Sequence, residues 1–224
     1  MGIRIAIEEA PRRSFASALD WPGWSRSAKT PDGALDALVA AGPRYAAVAR
    51  RAGLSFDPPA GTGALEVVER LPGGGGTEFG VPSVAARAED AAPDADELDR
   101  FTAILRAAWE TFDTVAAAAV GVELATGPRG GGRTLEKIVE HVRDAEVAYL
   151  GQLGSRPPAA MGEDPDHALA HVHEAFLATL GARVRGEPLP NPRRTRTPWT
   201  PRYAVRRTAW HALDHAWEIE DRAA

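Results

Sequence analysis

The sequence predicts an α+β fold in which a small β-meander with a helix precedes an antiparallel four-helix bundle. Three observations predict it. Ile3, Ile5 and Ile7 alternate with Arg4, Ala6 and Glu8, the period-2 signature of a strand with one buried face. A Gly-, Pro- and acid-rich stretch interrupts the chain between Pro72 and Asp96. Beyond it, apolar residues recur at helical spacing in four long segments with no strand signal between them. The chain therefore divides into an α/β module over 1–71, a connector over 72–94 and a bundle over 95–224.

After the first strand, Pro11 to Ser14 reads as a turn. A second strand follows in SFASALD, and Trp21-Pro22-Gly23-Trp24 enforces a turn into WSRSAK, the third. Thr30-Pro31-Asp32 starts a helix, because the hydroxyl caps it and a proline in the first helical position gives up no hydrogen bond. That helix runs to about Ala41, where Gly42-Pro43 interrupts it. PRYAAVARRA continues as a further helix that Gly53 terminates. GALEVVERL supplies a fourth strand, since so small a meander needs more pairing.

Residues 72–94 hold too few apolar groups to offset their ordering entropy and are expected only to connect. The first bundle helix, about 95–120, starts behind Asp94 or Asp96 and stripes Leu98, Phe101, Leu105, Ala108, Phe112 and Val115 along one face. The second, 134–150, turns Ile138, Val142, Ala145 and Tyr149 inward; the third, 166–184, does so with Leu169, Val172, Phe176 and Leu180. The last begins near Pro201 and carries Trp210, Leu213 and Trp217 at helical spacing.

Composition bounds the function. With 224 residues, 44% hydrophobic and 25% charged, the chain can bury a proper core. It has no cysteine, which excludes disulfides, zinc ribbons, iron–sulfur clusters and a thiol nucleophile of its own. The longest apolar run, Val115 to Val120, is far too short to span a bilayer, and MGIRIAIEEAPRR lacks the layout of a secretory leader. A cytoplasmic protein without membrane attachment is expected. The net charge of −5 and the lack of a basic run interleaved with aromatics disfavour nucleic acid as a partner.

All six histidines lie in the second half. His211 and His215, at i and i+4, project about 40° apart and can share a cation; alone, such a pair is more often two hydrogen-bonded core rings. His141, near the inward line of Ile138 and Ala145, can face them across a bundle. Three imidazoles leave positions open for water or substrate, the pattern of a catalytic site. His167 and His171 fall on the polar side with Glu174 and read as solvated, while His173 reads as core or pocket lining.

Glu218 lies about 20° from the His211 direction and is a candidate fourth ligand or catalytic base. Asp214 and Asp144 are candidates to orient ligand rings, or else surface partners for Arg207 and Arg143. Tyr203, Arg206 and Arg207 sit one to two turns before His211 and can reach a pocket mouth for a small-molecule substrate. In GPRGGGR, residues 127–133, the backbone with Arg129 or Arg133 could hold an anion. Without a GK[ST] ending it reads sooner as a flexible connector.

EHVRDAEVAYL paired with AVRRTAWHALDHAWEIEDR resembles the DinB/YfiT superfamily of metal-binding four-helix bundles over about residues 95–222. The resemblance implies metal ligands at His141, His211 and His215 and a divalent cation, with zinc, nickel and iron all suited to imidazoles. DinB-like bundles include thiol transferases and isomerases. It therefore implies transfer of a low-molecular-weight thiol to a small electrophile through a metal-bound thiolate, with metal-dependent hydrolysis as the alternative. An Arg- and Ala-rich composition, read as that of a GC-rich genome, favours mycothiol as the cosubstrate. Related bundles in sulfoxide synthases use HxxxHxE. Trp217 stands at that last place here, which weakens an oxygen-activating reading.

The segment ALDWPGWSRSAKTPDGALDAL is similar to HicB-like antitoxin modules over about the first 70 residues. That similarity implies protein binding or a homodimer, and with it a function of another class, a noncatalytic antitoxin-like protein.

Overall fold

The computed structural model describes residues 2–126, 132–158 and 165–223, the side chains of 165–168 excepted. The architecture is α+β, a mixed four-stranded sheet followed by helices. β1 (Ile3–Ala10), β2 (Arg13–Ala18), β3 (Ser25–Ala28) and β4 (Leu65–Pro72) stand in the order β3-β2-β1-β4. β1–β2 and β2–β3 are antiparallel, with Ile5 opposite Ala18 and Phe15 opposite Ser27. The first turn is tighter than expected, because Arg13 and Ser14 already pair with Ala10 and Glu9.

β4 runs parallel to β1, so the meander covers only the first three strands. The physical reason is the crossover. α1 (Pro31–Ala40) and α2 (Gly42–Arg51) fill the connection from β3, and a chain that crosses over through helices returns parallel. Thr30 caps α1 by accepting from Gly33 N at 3.1 Å. Inside, Trp24 Nε1 donates to Leu38 O at 2.9 Å and Tyr45 Oη to Pro22 O at 2.8 Å. Both rings bury their apolar area with every polar atom satisfied.

The stretch 72–94 is more than a connector. It forms α3 (Gly75–Phe79), stopped by Gly80 at φ 107°, and a 3-10 turn over Arg87–Glu89. Its anchors are polar. Glu8, only 3% exposed, accepts from Thr77 Oγ1, Ser83 N (3.1 Å), Ser83 Oγ (3.2 Å) and Val84 N (3.0 Å). A ledger of apolar groups cannot register such an anchor.

α4 (Ala95–Ala118) begins in a capping box, Asp94 accepting from Glu97 N at 2.9 Å and Glu97 from Asp94 N at 3.2 Å. α5 (Leu135–Leu153), α6 (Pro165–Arg185) and α7 (Pro201–Ala223) follow. α7 packs on α4 and α5, and α5 on α6. One apolar core runs from Ile5, Trp24 and Tyr45 through Phe101 and Leu105 to Ile138, Phe176 and Leu213.

α7 joins the two halves. Gly23, at φ 90°, brings its turn so close that a Cβ would meet Ala209 Cβ and Leu213 Cδ1 at 3.0 Å. Arg206 and Glu89, 3% exposed each, form a buried ion pair, and the same guanidinium donates to Val84 O at 3.0 Å and Ser17 Oγ at 3.4 Å. Arg26 of β3 lies 4.0 Å over the Trp217 ring. Among the described residues no helix is long and apolar enough to cross a membrane.

Candidate metal centre

Ile138 and Val142, both fully buried, clamp α5 inward and carry the half-buried His141 to the α7 face. There it meets His211 and His215, 5% and 8% exposed. The Nε2 atoms of His141 and His211 are 3.2 Å apart, and one nitrogen from each of the three rings lies within 4.8 Å of the others. A tetrahedral ion with nitrogen bonds near 2.0–2.1 Å separates its ligand atoms by about 3.4 Å. The first pair already has that spacing. Among the described residues this is the one group of three or more His, Cys, Asp or Glu side chains so placed.

The electrostatics keep lone pairs available. His211 is held well below its usual value near 6.5 by burial, then by the neighbouring charges of His215 and Arg207. His141 is lowered by burial, Arg133 and His215. Both rings are therefore neutral, the form that ligates metal. His215 Nδ1 donates to Glu218 Oε2 at 2.8 Å, which puts its lone pair on Nε2. Glu218 is drawn below the usual carboxylate range by that hydrogen bond, against burial, with help from Arg222 Nη1 at 3.0 Å. Arg222 also donates to Ala125 O at 2.8 Å and Arg133 O at 2.9 Å, tying the approach to α5 onto the end of α7. His211 Nδ1 is buried and has no acceptor among the described residues.

Glu218 thus stands behind a ring, not among the ligand atoms expected for a fourth donor. The reason is local: it sits three residues after His215, and the nearest donor captures it. Asp214 accepts from Arg26 of the sheet at 3.0 Å and reaches Arg207 through its charge. Asp144 is exposed and reaches His141 only through its charge. Tyr203 is buried edge-on to Trp199 at 5.0 Å. Arg207 is buried over the rings of Tyr149 (5.1 Å) and Trp210 (4.6 Å), and Tyr149 meets His211 edge-on at 5.4 Å. Arg133 is exposed, and with Thr134, Leu135 and Arg222 it lines a cavity of about 400 Å³. Arg129 and the side chain of His167 lie outside the described residues.

His171 is exposed as expected, and His173 is a core ring stacked 3.9 Å from Trp109 with its Nε2 on the buried Glu146. Burial pushes Glu146 up, against the pull of His173. Sequence reasoning missed this pair. The available signal was that Glu146 falls in the i,i+4 row of Val142 and Leu150, where a carboxylate needs a partner.

No protein-family model, curated protein or solved structure matches this chain.

Proposed function

We propose that the chain is a metal-dependent enzyme of DinB-like type, with α4–α7 as its bundle and residues 1–71 as a HicB-like module. His141, His211 and His215 hold one divalent cation, zinc, nickel or iron, and a low-molecular-weight thiol of the mycothiol type is transferred to a small electrophile. The observation that carries this reading is the convergence of three imidazoles from two helices, two of them held neutral by burial and the third fixed by a carboxylate.

When bound, a divalent cation with open positions lowers the pKa of a thiol or water by Lewis acidity. The protein's own residues do the rest. Glu218, braced by Arg222, fixes the His215 tautomer, so that Nε2 faces the cation. The Tyr149 ring, 5.1 Å from that of Trp199, lies edge-on to His211 and lines its side of the site. With no cysteine in the chain, the nucleophilic sulfur arrives with the cosubstrate.

Elemental analysis and equilibrium dialysis of protein purified without a His-tag test this. About one equivalent of divalent metal is expected in the wild type, with loss in His141→Ala, His211→Ala and His215→Ala at unchanged helix content. Retention of metal by His141→Ala refutes the centre. Turnover by the loaded protein that needs no thiol transfers the assignment to hydrolysis.

A further inference from the structure

We propose that Arg207 is an anion-binding residue, and that the small molecule entering the three-histidine site carries a carboxylate that pairs with its guanidinium. Arg207 lies one turn before His211, is 8% exposed, and its Nη1 is buried without a hydrogen-bond partner. Among the described residues no carboxylate or carbonyl accepts a hydrogen bond from it; Asp214 acts on it only through its charge, and its ring contacts are the faces of Tyr149 and Trp210. The next residue shows the contrast. Arg206, equally buried, has Glu89, Val84 O and Ser17 as partners.

A buried cation without a hydrogen-bonded counter-charge is costly, and stacking on aromatic rings offsets only part of that cost. A second donor in the same turn, Trp210 Nε1, is also buried without an acceptor. Two orphaned donors mark a place where an acceptor is missing. The Tyr149 ring touches both Arg207 and His211, so an anion there lies beside the reacting centre.

The guanidinium fork matches a planar carboxylate in bidentate fashion. One positive charge with no hydrogen-bonded carboxylate suits a monoanion, whereas a phosphate dianion brings excess negative charge among aromatic rings. The role in substrate binding rests on the metal-centre reading above; the anion site itself does not.

The test titrates metal-free, full-length protein with benzoate, benzamide and inorganic phosphate by calorimetry and thermal shift. Saturable binding of benzoate but not benzamide is expected, weakened about tenfold or more by Arg207→Met and less by Arg207→Lys. In the absence of any anion, Arg207→Met is expected to melt higher than wild type, because an unpaired buried charge has gone, and benzoate no longer raises its melting temperature. Equal binding of benzamide, preference for phosphate, undiminished benzoate binding by Arg207→Met, or a lowered melting temperature in that variant overturns the proposal. Metal titration of the same samples separates the two readings. Arg207-dependent benzoate binding without metal uptake refutes the metal centre alone, and metal uptake without benzoate binding refutes the anion site alone.

Discussion

Replacing Glu218 with alanine is expected to weaken divalent-metal binding by about 10- to 100-fold, equivalent to about 1.4–2.7 kcal/mol, while the fold loses little. The magnitude follows from the position of the carboxylate. It accepts from His215 Nδ1 at 2.8 Å and is itself braced by Arg222 at 3.0 Å. Without it the two tautomers of His215 compete, and its ring turns freely before it can ligate. The Glu218 side chain is 32% exposed, so its ion pairs contribute at most about 1 kcal/mol to folding. Glu218→Gln keeps an acceptor and loses the charge, and is expected to fall between wild type and Glu218→Ala. Competition for zinc against a chromophoric chelator gives the affinities, and the visible spectrum of the cobalt-loaded protein reports ligand geometry. If Glu218→Ala binds metal within about twofold of wild type while His211→Ala does not bind, the orienting argument fails. If Glu218→Ala loses metal as completely as His215→Ala, Glu218 is itself a ligand.

Arg206→Met strands the Glu89 carboxylate at 4% side-chain exposure and is expected to cost about 3–5 kcal/mol in urea unfolding, most of it recovered by adding Glu89→Leu. Wild-type stability in the single variant contradicts the buried-pair assignment. His211, held below 6.5 by burial, binds fewer protons folded than unfolded. Its contribution to stability is therefore complete above about pH 6.5 and is lost as the pH falls below it. Melting temperatures of metal-free protein between about pH 7.5 and 5 should drop less steeply for His211→Phe than for wild type, and equal slopes count against this. Glu8→Gln cannot satisfy all four donors now converging on Glu8 and is expected to loosen residues 74–90 by about 1–3 kcal/mol. Limited proteolysis reads this out, and an unchanged cleavage rate within that segment speaks against the anchor.

Local signals were legible. Alternating isoleucines marked β1, a capped proline marked α1 at Thr30, and an Asp cap marked α4. The long helices fall within a few residues of their expected limits, since each carries an amphipathic stripe. What the chain does over long distances was not legible. The parallel pairing of β4 depends on where the α1–α2 crossover returns, and the order in residues 72–94 depends on Glu8 and Glu89, whose partners lie far away in sequence. At the site, i,i+4 spacing and the inward line of α5 were enough to select the three histidines. Helical angle brought Glu218 to the histidine face but did not show that its carboxylate meets His215 Nδ1, because it gives the direction of a Cα and not which donor the carboxylate finds first. Arg206 and Arg207 read alike as able to reach a pocket mouth, and only the packing shows one paired and one stacked.

The sheet and the histidine cluster share a single rod. Because Arg206 is pinned from one side and His211 and His215 are used from another, inserting one residue between them rotates the cluster by about 100° relative to the pin. The turn that carries Glu89 thereby sets the angular phase of ligands more than one hundred positions downstream. Any change that slides α7 along its axis is resisted at Glu89 before it is felt at the imidazoles.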